Sequence, residues 1–184
     1  MRVPATVVCV AIGLAMVLGA GQPAALPAAA AKEEVKPALV EFLGADGKIT
    51  NGEFVRVTDS AAWLELWSKH TGIDKEKLAW SDATPKVDFT RCMVIAYFRG
   101  KTVNTRGEEL QALDEVDGKL RLRFRSSGYQ SASFSGEDHG VPAVSYGIWV
   151  LPRNTRAIVI EEDVQSLIGK PPEWKEQKTF DAIK

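Results

Sequence analysis

Two histidines (His70, His139), two cysteines (Cys9, Cys92) and a serine-rich stretch over 126–145 supply the chemistry-bearing side chains of this 184-residue sequence. His139 follows Ser131, Ser133 and Ser135 in the same stretch. A histidine beside a serine hydroxyl can act as its base, which gives a hydrolase reading. Asp138 cannot orient His139 well, because neighbouring side chains diverge. Ala143-Val144-Ser145-Tyr146-Gly147 has the A-x-S-x-G spacing of a nucleophile elbow. That elbow needs a strand before the serine, a helix after it and a histidine further on. Here Pro142 precedes, a strand-like run follows, and both histidines come first. The elbow is therefore set aside, and no catalytic residue is assigned.

No metal or cofactor is expected. There is no H-E-x-x-H, no phosphate loop and no G-x-G-x-x-G. Asp46-Gly47 lacks the further acids of a calcium loop. Cys92 precedes Met93-Val94-Ile95, which predicts a buried, inert thiol. His70 falls in the last turn of an expected helix. A surface position is anticipated there, where a positive charge suits the helix dipole.

The elements that would position these residues read as follows. Leu39–Leu43 and Phe54–Thr58 are short strands. Asp59 or Ser60 can cap a helix. Trp63, Leu64, Leu66 and Trp67 then share one face of it, and Gly72 ends it. Leu78-Ala79-Trp80 is expected to tuck against the body. Cys92–Phe98 is uninterruptedly apolar, the mark of a strand buried on both faces. Glu108–Arg125 reads as a hairpin about Asp117-Gly118. Its expected register sets Glu115 against Lys119, Glu109 against Arg125, and Leu110 and Ala112 against Phe124 and Leu122. Leu113 does not fit that register. Arg121, Arg123 and Arg125 form a solvated outer face opposite cross-strand acids. The 126–145 stretch is a long loop. Tyr146–Leu151 and Ala157–Ile160 are strands, and Asp163 caps a short turn. Among the five tryptophans, Trp174 is the one expected to be exposed.

Composition narrows the classes. The sequence is 45% hydrophobic and 26% charged, as in globular proteins. With 23 basic and 24 acidic residues it lacks the basic excess of a nucleic-acid binder. Arg2 is the only charge before Lys32; an apolar run from Val7 to Gly19 follows it, then Ala29-Ala30-Ala31. That pattern is a secretory signal peptide over 1–31. The apolar run is shorter than the roughly 20 residues of a membrane span. Residues 32–38 read as a flexible lead, 39–168 as a single β-rich domain and 169–184 as a polar C-terminal tail.

The order of elements carries a resemblance. A capped helix with Trp63-Leu64-Glu65-Leu66-Trp67 leads to Val87-Asp88-Phe89. Met93-Val94-Ile95-Ala96, Gly100, a hairpin and Val141-Pro142 to Pro152 follow. Over about Val55 to Glu162 this resembles the C-terminal domain family of PrcB, a subunit of a secreted bacterial protease complex. Family members carry Gly-Gly-Tyr after the buried strand, where this chain has Asn104-Thr105-Arg106-Gly107-Glu108. The resemblance implies a small, non-enzymatic binding or regulatory domain outside the cytoplasm.

The sequence thus predicts an α+β fold, predominantly antiparallel sheet with one amphipathic helix packed on it. The expected product is a secreted or periplasmic binding domain without cofactor or metal, with a protein partner, a secreted protease foremost. No nucleic acid and no stable membrane span are expected. Tyr129, Phe134 and His139 are the candidate contacts. The alternatives are a secreted hydrolase using a loop serine and His139, or an envelope glycan-binding protein using tryptophans.

Overall fold

The computed structural model describes residues 40–131, 140–165, 167 and 169–183. The signal segment and the lead fall outside the described residues. The elements are strands β1 (Val40–Gly44) and β2 (Glu53–Val57), helices α1 (Ser60–Thr71) and α2 (Lys75–Ala79), and strands β3 (Cys92–Val103), β4 (Thr105–Val116), β5 (Lys119–Gly128), β6 (Pro142–Pro152), β7 (Ile158–Asp163) and β8 (Trp174–Phe180). They make two four-stranded sheets, ordered β1-β6-β3-β2 and β4-β5-β7-β8. All strand pairs are antiparallel except β5–β7. The fold is α+β and mostly strand, as the sequence predicts. No described helix is long and apolar enough to cross a membrane.

Alternation along β3 builds three layers. Cys92, Val94, Ala96 and Phe98 face one way and pack with Trp63 and Leu66 of α1. Met93 and Ile95 face the other way and pack with Leu122, Phe124, Ile158 and Ile160 of the second sheet. The first sheet is therefore the middle layer, which is why Cys92–Phe98 carries no polar face. Each fully buried aliphatic or aromatic side chain contributes about 1.5–3 kcal/mol. The Cys92 thiol is buried, as expected.

Helix α1 is fixed at both ends. Asp59 Oδ1 accepts from the Ala62 N–H at 2.8 Å, and Gly72 takes the left-handed conformation at φ 73°. Trp63 and Trp67 point their indole N–H groups at the Pro85 and Ala83 carbonyls, at 2.9 and 3.1 Å. The two tryptophans thus anchor the helix and also pin the following loop.

Five expectations change. His70 is buried at 6% exposure rather than on the surface. Its ring packs against Tyr146, Trp67 and Phe98 at centroid distances of 4.2, 5.3 and 5.6 Å, because α1 lays its last turn over the first sheet. Trp80 does not tuck in: Leu78 does, at 1% exposure, and leaves Trp80 at 92%. Trp174 is half-buried, with the Arg123 guanidinium 4.9 Å from its ring centre. The expected tail contains β8, paired antiparallel with β7. The long loop is shortened at both ends, since β5 runs to Gly128 and β6 starts at Pro142.

The hairpin register also shifts. Asp117 and Gly118 both have positive φ (51° and 72°), as a two-residue type I′ turn requires. Val116 then pairs with Lys119 and Leu113 with Leu122. A bulge between Leu110 and Ala112 absorbs one residue, so Leu110 still meets Phe124 and Glu109 still meets Arg125. The bulge turns Leu113 inward against the core that Leu122 belongs to.

Candidate functional site

Five strands of the inter-sheet core end their inward apolar series with a polar residue, all at the same end. Tyr97 is followed by Arg99 on β3, and Trp149 is preceded by Ser145 on β6. Leu110 is preceded by Glu108 on β4, Phe124 followed by Ser126 on β5, and Ile160 by Glu162 on β7. The period of two makes these residues converge.

Glu108 is fully buried. Its Oε1 accepts from Arg99 Nε at 2.7 Å and from Ser145 Oγ at 2.7 Å; its Oε2 accepts from Arg99 Nη2 at 3.1 Å. Ser126 Oγ lies 3.0 and 2.9 Å from the two oxygens and closes the outer side. Arg99 Nη2 also donates to Glu162 Oε1. Thr105 Oγ1 stands 3.5 Å from Ser145 Oγ. Burial disfavours charge on Arg99, but the hydrogen bonds and charge of Glu108, with help from Glu162, outweigh it and hold the group above its ordinary value. Its guanidinium also lies 5.4 Å from the Tyr97 ring centre.

Backbone geometry places these groups. Arg99 and Gly100 stand together opposite Ser145 in a β3 bulge, with Gly100 at φ 83°. Strand β4 crosses close over β1 and β6. A Cβ on Gly147 would lie 2.5 Å from the Glu108 carbonyl, and one on Gly107 would lie 2.5 Å from the Gly44 nitrogen. Only glycine permits that approach, and the approach brings Glu108 onto Ser145. On β1, Glu41 Oε1 accepts from Trp149 Nε1 at 3.0 Å and from the Leu110 N–H at 2.8 Å.

Chemically this is a saturated ionic latch. Both Glu108 oxygens are occupied, so the carboxylate is held as a structural acceptor. Sequence reading considered Ser145 only as part of an elbow; the structure puts it inside strand β6, facing Glu108. Arg99, Glu108, Ser126 and Glu162 were missed as a group. The signal for them was the polar residue ending each apolar alternation.

The sequence-predicted contacts fall elsewhere. Tyr129 follows β5 and is 37% exposed, with the Arg106 guanidinium 5.9 Å from its ring centre. Its N–H donates to the Asn104 carbonyl at 2.9 Å. Phe134 and His139 lie outside the described residues. Arg125 pairs with Glu109 as expected; the shifted register gives Arg121 to Asp114, and Arg123 pairs with Glu161 of β7. Among the described residues no group of three His, Cys, Asp or Glu side chains is arranged to hold a metal ion.

No family model, no curated protein and no solved structure matches this chain.

Proposed function

We propose that this chain is an exported, non-catalytic binding or regulatory domain that takes a protein partner. The observation that carries the reading is Trp80, held at 92% exposure just after α2 while its neighbour Leu78 is buried. A large aromatic presented to solvent on a fixed element is the kind of anchor that dominates protein interfaces. The convergent ionisable groups support the same reading, since Glu108 and Arg99 spend their hydrogen bonds on each other and on the strands around them. The resemblance to the PrcB C-terminal domain family makes a secreted protease the partner class of choice. Tyr129, beside the 132–139 segment, would extend the contact surface.

The test is retrieval from the native exported fraction with the purified chain as bait, alongside a Trp80→Ala bait. A protease retained by the parent, released by Trp80→Ala and altered in activity by added chain is the expected result. Hydrolysis of generic esters by the chain itself, lost in His139→Ala, would replace this reading with the hydrolase.

A further inference from the structure

A second polar site lies at the end of the first sheet, where the chain enters β3 and leaves β6. Thr90, Arg91, Arg153, Asn154, Thr155 and Arg156 line an open cleft of about 600 Å³ there. The cleft is built rather than incidental. The Arg153 N–H donates to the Arg91 carbonyl at 2.8 Å, extending the β3–β6 ladder past Cys92 and Pro152. Asn154 Oδ1 accepts from the Arg156 N–H at 2.8 Å and fixes the turn. The Ile183 N–H ties the Thr155 carbonyl at 2.7 Å.

The charge of this cleft is unbalanced. Arg153 Nη1 is held by the carbonyls of Phe89 and, at 3.2 Å, Thr58. Half-buried Arg56 stands behind the turn, its Nη2 on the Asn154 carbonyl at 2.5 Å and its Nη1 on the Asp181 carbonyl at 3.0 Å. Its buried Nε has no hydrogen-bond partner among the described residues. Carbonyls position a guanidinium without neutralising it. Burial, and then the nearby Arg153 charge, push Arg56 below its ordinary value, so the two cations sense each other. Arg91 is exposed. Among the described residues, three of the six that line the cleft are arginines and none is an acid, with Arg56 a further cation behind the turn. Glu115, paired with Arg156, and Asp88, which accepts from the Thr90 hydroxyl at 2.6 Å and feels the Arg91 charge, offset part of that charge.

We propose that this cleft is an oxyanion site that takes a phosphoryl group, as free phosphate or a phosphate monoester. A phosphoryl group carries about −1.5 to −2 charge near neutral pH and three acceptor oxygens, which suits a lining of three arginines and no acid. Arginine forks suit its geometry. The cleft is many times larger than one phosphoryl group and open to solvent, so the body of a monoester fits outside the arginines.

The experiment is an amide-resolved NMR titration of the isotope-labelled full chain with sodium phosphate, glycerol phosphate, acetate and chloride at matched ionic strength. Saturable shifts at Thr90, Arg91, Thr155 and Arg156 with phosphate are expected, and Arg91→Gln should weaken them about tenfold, the value of one charge-assisted hydrogen bond. A response to glycerol phosphate as strong as to phosphate identifies the monoester as the source; a weaker one identifies the free ion. Equal responses to chloride or acetate, or an Arg91→Gln chain that binds as tightly as the parent, would overturn the proposal. If Arg91→Gln does not fold, Arg156→Gln, whose side chain pairs only at the exposed rim with Glu115, takes its place under the same criteria.

Discussion

The Arg99 guanidinium and the Glu108 carboxylate form a two-point fork across the gap between the sheets, at 2.7 and 3.1 Å. Removing Arg99 leaves the fully buried Glu108 without its counter-charge. Arg99→Met is therefore expected to cost about 3–5 kcal/mol. The double change Arg99→Met with Glu108→Leu should cost far less than the sum of the single changes. Urea denaturation of the four chains measures the coupling directly.

His70 gives the fold an acid-sensitive point. Burial lowers its proton affinity from the ordinary 6.5, with Asp46 opposing only in part. Its Nδ1 has no hydrogen-bond partner among the described residues. The unfolded chain binds the proton more readily than the folded one. The stabilisation is thus complete above the unfolded value and is lost as pH falls from about 6.5 toward the lower folded value. His70→Phe should flatten that part of the stability–pH curve. Thermal midpoints between pH 7.5 and 4.5 test it.

Two glycines separate crowding from backbone freedom. Gly147→Ala would put a methyl 2.5 Å from the Glu108 carbonyl and 2.6 Å from the Trp149 ring. A loss of about 3 kcal/mol is expected, the upper range of overpacking. Gly118 has nothing within 4 Å of its would-be Cβ, yet sits at φ 72°. Gly118→Ala should cost about 1 kcal/mol, since only the left-handed conformation is penalised. Chemical denaturation distinguishes the two.

The tryptophans make opposite predictions. Trp80→Ala should leave stability within about 0.5 kcal/mol, its effect confined to partner retention. Trp63→Ala, at 3% exposure in the helix–sheet core, should cost about 3–5 kcal/mol. Denaturation midpoints run beside the retrieval assay separate surface from core.

Local signals made much of this legible. The Asp59 cap, the Gly72 stop and the paired Trp63 and Trp67 are decided within one or two helical turns. The apolar run at Cys92 announces a middle layer because no polar residue interrupts it. What stayed hidden depends on distant parts of the chain. The bulge at Gln111 shows in sequence only as the misfit of Leu113. The burial of His70 needs Tyr146, which lies far along the chain on β6. Strand β8 reads as polar because it is an edge, exposed along most of its length, and only the register with β7 reveals it. The Glu108 latch requires five strands to be placed before its polar residues meet.

The one parallel pair, β5 against β7, sets an order of assembly. The β4–β5 ribbon is complete in the growing chain while the residues that cover its flank are still unmade. They follow β6 in the chain, and β6 belongs to the opposite sheet. Until then the ribbon presents a row of unanswered amide and carbonyl groups, and β7 repeats the exposure until β8 arrives. A chain ending before residue 174 therefore lacks the strand that covers β7 and keeps an open edge there.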